Sequence, residues 1–175
     1  YYMNAAIIGS GRQGTSAGYD LIRSKIIKKL ILIDSSTKSL KDSKEHILNI
    51  IPEAIIEVAH IDIVNEKTKL VNILKEIDLF ISAVPYKYNL NLTEIAIESK
   101  TSMVDLGGHT GIVRKQLDFN KKAFDKGITI VPDCGMGPGM NITMALLAIE
   151  KVDKPIGVSI WDGGLPRNPS PPWNY

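Results

Sequence analysis

The feature that most constrains this chain is a stretch near its start, Ala5-Ala-Ile-Ile-Gly-Ser-Gly-Arg-Gln-Gly14. An apolar run enters it, Gly9, Gly11 and Gly14 space it, and a helix-forming pattern leaves it. Glycines at this spacing permit a tight turn and a close approach of backbone to a pyrophosphate. The helix that follows aims its amino terminus at the negative charge. The reading is therefore a strand, a phosphate-cradling turn and a helix, with Gly9, Ser10, Gly11, Arg12, Gln13 and Gly14 as cofactor-binding candidates. Asp34 stands twenty residues beyond Gly14, at the end of the next apolar run. A carboxylate there can accept hydrogen bonds from both hydroxyls of an adenosine ribose and repels a 2′-phosphate. No arginine follows it, so the expected cofactor is NAD, with NADP disfavoured.

The same alternation continues along the chain. Strands are predicted over residues 4–8, 30–33, 54–60, 79–84, 102–106 and 129–131. Helices are predicted over 12–23, 38–49, 67–77, 89–100, 110–126 and 141–151. Residues 158–161 read as strand-like, and 166–172 as a proline-rich extended loop. Short apolar strands alternating with helices imply an α/β fold. Right-handed crossovers make a doubly wound parallel sheet of the Rossmann type the simplest topology.

Bulk properties narrow the class. The 175 residues suffice for one full core, and 44% hydrophobic content with mean hydropathy near zero fits a soluble globular protein. A net charge of +2, with Lys and Arg scattered, argues against nucleic acid as partner. No apolar run approaches the ~20 residues needed to span a bilayer, and no signal-peptide pattern opens the chain. One cysteine, Cys134, cannot form an internal disulfide, which fits a reducing cytoplasm. No metal site is expected. Tyr1 and Tyr2 precede Met3, and the chain stops just after the proline-rich run, so the sequence reads as part of a longer protein.

In a doubly wound sheet, ligands bind beyond the carboxyl ends of the strands. Asp62 falls where the adenine edge would lie, and Val84 and Pro85 fall where the nicotinamide half would pass. Asp105 and His109 bracket a Leu-Gly-Gly turn and offer an acid and an imidazole suited to proton transfer near neutrality. His46 and His60 read as structural. The stretch Pro132-Asp-Cys-Gly-Met-Gly-Pro-Gly-Met140 joins a strand to a helix, with amides at 141–143 free to receive a carboxylate or cofactor amide. Cys134 has no basic neighbour in sequence and reads as a small packing group beside the nicotinamide. Met136, Met140 and Met144, at helical spacing, read as core.

Taken in order, Gly9–Gly14, Val84-Pro-Tyr86, Val104-Asp-Leu-Gly-Gly108, Val131–Gly139 and Gly163-Gly-Leu-Pro-Arg-Asn-Pro169 resemble the saccharopine dehydrogenase-like family, most closely its L-lysine 6-dehydrogenase branch. The resemblance implies a Rossmann NAD-binding domain over 1–140. Residues 141–175 would be the connecting helix and opening strand and loop of a second, α+β substrate and dimerisation domain. It also implies that Tyr86 stands near the substrate, that Asp133 and Cys134 line the nicotinamide end, and that the full-length protein is a homodimer. Gly137 departs from the Gly-x-Asp-Pro-Gly loop usual in saccharopine-forming reductases, which counts against saccharopine as substrate.

The resulting expectation is an NAD-dependent oxidation at a C–N bond of lysine or a lysine-derived amine. Asp105, His109 and Asp133 are the candidates for the base. A saccharopine or carboxynorspermidine dehydrogenase, and a non-catalytic NAD-sensing module, are the alternatives.

Overall fold

The computed structural model describes residues 2–161 and 163. Six parallel strands form one sheet: β1 (Met3–Ile8), β2 (Ile27–Asp34), β3 (Ile56–His60), β4 (Leu79–Ser82), β5 (Ser102–Asp105) and β6 (Ile130–Val131). Their spatial order is β3-β2-β1-β4-β5-β6. The helices are α1 (Arg12–Arg23), α2 (Thr37–Ile50), α3 (Lys67–Leu74), α4 (Asn89–Ser99), α5 (Thr110–Leu117), α6 (Asn120–Lys126) and α7 (Met140–Ile149). The expected doubly wound α/β fold is present.

The central strand explains the layering. Ala5, Ala6, Ile7 and Ile8 are wholly buried, as a strand covered on both faces must be. They pair with Leu30–Ile33 on one side and Leu79–Ser82 on the other. Because successive side chains point to opposite faces, Ala6, Ile8, Ile31, Ile33 and Phe80 meet Leu70, Leu74, Leu92 and Ile95 of α3 and α4. Ala5, Ile7, Leu30 and Leu32 meet Leu40 and Ile47 of α2, with Ala17 and Leu21 of α1 packed alongside. The strand order reverses between β1 and β4, so a crevice opens at their carboxyl ends.

Three expectations need correction. Residues 110–126 form two helices, because Asp118, Phe119 and Asn120 are three weak helix formers in succession. There the Phe119 amide donates to the carbonyl of Gln116, three residues back, and α6 restarts beyond it. Residues 158–161 form no strand: Val158, Ile160 and Trp161 are exposed, and no strand among the described residues pairs with them. Met136, Met140 and Met144 are not core but more than half exposed, since α7 has no buried residue. The 166–172 loop and the Gly163–Pro169 motif beyond Gly163 lie outside the described residues.

Candidate functional site

The crevice is a cleft of about 430 Å³, walled by Gly9, Gly11, Asp34, Asp62, Val84 and Pro85, among others. Six residues from four separate stretches of sequence, all expected at a cofactor, are thus brought together. Gly9 has a φ of +100°, and a Cβ on it would come within 2.6 Å of the Ala83 carbonyl. Only glycine lets the β1 turn sit this close to β4. Gly14 is buried beneath the turn. Arg12 and Gln13 are exposed on the first turn of α1 and are not part of the cleft wall. Ala83, from the stretch expected along the nicotinamide path, also lines it; so do Ser35, Ile63, Val64 and Tyr88, which sequence reasoning missed because no pattern in the chain singles them out.

Two features of this cleft suit it chemically to an anion and a ribose. First, α1 begins at Gly11 with no side-chain cap and no acidic residue in its first turn, so its positive end is open. Ser10 beside it is buried, and its Oγ is without a hydrogen-bond partner among the described residues. An orphaned hydroxyl and an uncapped helix fit a pyrophosphate. Second, Asp34 is held by both oxygens: Oδ2 accepts from the Ser10 amide at 2.7 Å and Oδ1 from the Ser36 amide at 2.8 Å. Each oxygen keeps lone-pair capacity for a further donor, so a ribose diol meets an oriented carboxylate. His60 Nε2 lies 2.9 Å from the Ser35 carbonyl and ties β3 to this loop, in keeping with a structural role. Asp62 accepts from the Val64 amide and from Asn65. These bonds hold its carboxyl below the usual range, the Val64 bond contributing most.

The β5–β6 end is organised by Asp105, which is completely buried. Its Oδ1 accepts from the amides of Gly107 (2.8 Å) and Asp133 (3.1 Å), and its Oδ2 from Gln116 Nε2 (2.8 Å). Its backbone carbonyl receives the Cys134 amide at 2.8 Å. This corrects the reading of Asp105 as a base, because a proton-transfer group needs an approach route and this carboxylate has none. It clamps two loops instead. Gln116, only 3% exposed, also donates to Thr93 Oγ1 at 3.0 Å. Sequence reasoning missed Gln116 because a glutamine on a polar helix looks like surface.

The clamp shapes its neighbours. Asp133 is half-buried and left-handed at φ +66°. Gly107, at φ +72°, passes so close that any side chain on it would strike the Asp133 carboxylate. The Gly108 amide donates to Asp133 Oδ1 at 3.4 Å. The Tyr86 ring stacks on His109, with centroids 5.3 Å apart. Burial raises the Cys134 thiol above its ordinary pKa, and the charges of Asp105 and Asp133 push it further, so its thiolate is disfavoured. The amides of Asn141 and Thr143 are not free as expected: they donate to the carbonyls of Met136 and Gly139, because the loop curls under α7. A smaller cavity of about 230 Å³ at the β6 edge, walled by Gln116, Phe119 and Phe124, holds none of the expected site residues. Among the described residues, no group of three or more His, Cys, Asp or Glu side chains could hold a metal ion.

The sheet order, the glycine turn after β1 and the carboxylate at the end of β2 are those of a doubly wound dinucleotide-binding fold. The chain belongs to the family described as the saccharopine dehydrogenase NADP binding domain, whose sequence profile matches residues 5–131. It is 28% identical over 116 residues to the mitochondrial alpha-aminoadipic semialdehyde synthase of Rattus norvegicus, covering 63% of this chain and 12% of that protein. It is 27% identical over 107 residues to a Saccharomyces cerevisiae saccharopine dehydrogenase named NADP(+), L-glutamate-forming, covering 59% and 23%. The apo structure of an L-Glu-forming saccharopine dehydrogenase from that yeast superposes with a TM-score of 0.66 at 19% identity, over 86% of this chain and 31% of that one. The chain thus spans less than a third of each of these relatives. An NAD(P) nucleotide is the cofactor of the family; the expected preference for NAD finds no support in these names, both of which specify NADP. No helix among the described residues is long and apolar enough to cross a membrane.

Proposed function

We propose that this domain serves an NAD(P)-dependent oxidation at the C–N bond of lysine or a lysine-derived amine, of the lysine 6-dehydrogenase type. The observation that carries the reading is the lateral order of the site. A phosphate and ribose receptor lies at β1–β2, and the accessible carboxylate of Asp133 lies two strands beyond β4. The cofactor supplies the hydride acceptor. Gly9, Ser10, Gly11 and the start of α1 hold its pyrophosphate, and Asp34 its adenosine ribose. Val84 and Pro85 flank its path toward β5. Asp133, oriented by Asp105 and Gly108, takes the proton from the amine. Tyr86 and His109 wall the substrate side, and Cys134 packs nearby without acting as nucleophile.

Asp34 supports NAD over NADP, since a 2′-phosphate would face an oriented carboxylate with no arginine beside it. Calorimetric titration with each nucleotide tests this; tighter binding of NADP would overturn it. Saccharopine is the second substrate reading, favoured by the names of the relatives and opposed by Gly137. The protein is assayed with L-lysine and L-saccharopine, nicotinamide reduction followed optically and products identified by mass. Turnover of an unrelated alcohol, with neither amine accepted, would refute the assignment. Tight nucleotide binding with no turnover at all would favour a sensing module.

The apolar, uncovered α7 supports assigning residues 141–175 to the opening of a second domain, and a homodimer is proposed for the full-length protein. The lone cysteine supports a reducing compartment, here proposed to be the cytoplasm; the mammalian relatives are named as mitochondrial.

A further inference from the structure

His109 differs from the other ionisable groups at the β5–β6 end because its ring is held from three directions. Nδ1 accepts the amide of Ile112 at 3.3 Å, making the side chain the amino-terminal cap of α5. One face lies on Tyr86, the ring planes inclined by 27°. The Cε1 edge lies against Gly111, where an added Cβ would come within 3.0 Å. An amide N–H can be accepted only by a ring nitrogen that carries a lone pair. The proton of the neutral ring therefore sits on Nε2, on the edge turned away from the helix. A general base needs the reverse, a lone pair at the free edge. A second proton on this ring would have to enter at Nδ1 and displace the cap.

We propose that His109 is locked as the Nε2–H tautomer and acts as a hydrogen-bond donor to a substrate oxygen, leaving proton abstraction to Asp133. The choice of ligand rests on the function proposed above; the tautomer does not. L-lysine offers only its carboxylate oxygens as acceptors, because both of its ammonium groups donate. The group recognised by His109 is accordingly the carboxylate of an amino acid.

Long-range proton–nitrogen correlation spectra of the labelled protein at neutral pH read the tautomer directly. The chain has three histidines, and His109 is identified by its loss in His109→Asn. The Nε2–H pattern is expected; the Nδ1–H pattern, or an average of the two tautomers, would overturn the proposal. Two variants separate the ring's two edges. An asparagine carbonyl reaches where Nδ1 lies, and a glutamine amide reaches where Nε2 lies. His109→Asn should keep the unfolding midpoint while raising KM for L-lysine about tenfold, the worth of one charge-assisted hydrogen bond, with kcat little changed. His109→Gln should lower the midpoint and raise KM by less than His109→Asn does. A collapse of kcat in both variants, with loss of the basic limb of the pH profile, would make His109 the base and sink the proposal. If L-lysine is not turned over, the parent reading fails, and the spectra still decide the tautomer.

Discussion

At the β1 end of the sheet the cleft is shaped by backbone, whereas at the β5 end it is held by one buried carboxylate. Gly9 lets the β1 turn sit against Ala83, and Ser10 and Ser36 offer amides to Asp34, so the hydrogen-bonded groups lie within or just after one βαβ unit. At the other end, Asp105 collects donors from Gly107, Gln116 and Asp133, which come from three separate elements. A receptor for an invariant ligand can be written into a short motif. The β5 end, proposed above to face the substrate, is assembled from distant residues through a shared acceptor. The physical difference is one of redundancy: the first end distributes its work over many weak backbone features, and the second concentrates it in one residue.

The comparison predicts that Asp105 is the most sensitive position. Asp105→Ala removes the acceptor of two part-buried amides and of the buried Gln116 Nε2, which keeps only Thr93 Oγ1, and should cost about 3–5 kcal/mol in urea unfolding. Asp105→Asn should cost far less, because rotation of the Gln116 amide brings its unpartnered Oε1 to the new donor. Equal losses in both variants would show that charge, not hydrogen bonding, does the clamping, and would break the contrast.

At the β1 end, Gly9→Ala should destabilise by about 2–3 kcal/mol through its positive φ and the Ala83 carbonyl. Titration should show NAD affinity falling more than tenfold. Asp34→Ala should reduce NAD affinity by about tenfold, or ~1.4 kcal/mol, and narrow the gap to NADP, with a smaller loss of stability. An unchanged NAD-to-NADP ratio would remove Asp34 from the discrimination. The smallest effect concerns Cys134. Its raised pKa leaves less thiolate at a given pH, so alkylation by iodoacetamide near pH 8 should be slower than for a free cysteine peptide. Asp133→Asn removes a negative charge and lowers that pKa, which should speed alkylation about two- to threefold. No acceleration would mean that burial and the Asp105 charge protect the thiol without Asp133.

Much of the fold was readable because its signals are local. The apolar runs at Ala5–Ile8 and Leu30–Ile33 are continuous, as strands covered on both faces require. The spacing of Leu70, Val71 and Leu74 marks the inner face of α3. The start of β2 was read late because Lys28 and Lys29 interrupt its apolar pattern at the sheet's rim. The break between α5 and α6 was missed because charge on both sides of Asp118 disguised it as one polar helix. Of the site, the glycine turn, Asp34, Asp62, Val84 and Pro85 were readable as one cleft. Gln116 and Tyr88 were not, since their roles depend on what they face.

By itself, the sequence determined the class of sheet, the glycine turn after β1 and the carboxylate at the end of β2, because each is set by residues close together in the chain and by backbone geometry. Only the tertiary structure decided how Asp105, Asp133 and His109 are placed and what each is bonded to. In sequence they are three equivalent candidates for one proton. In the fold, one is sealed behind three hydrogen bonds, one is accessible beside a glycine turn, and one has its lone pair committed to a helix cap. Burial and hydrogen-bond commitment are properties of neighbours, and those neighbours come from β4, β5, α5 and the loop after β6.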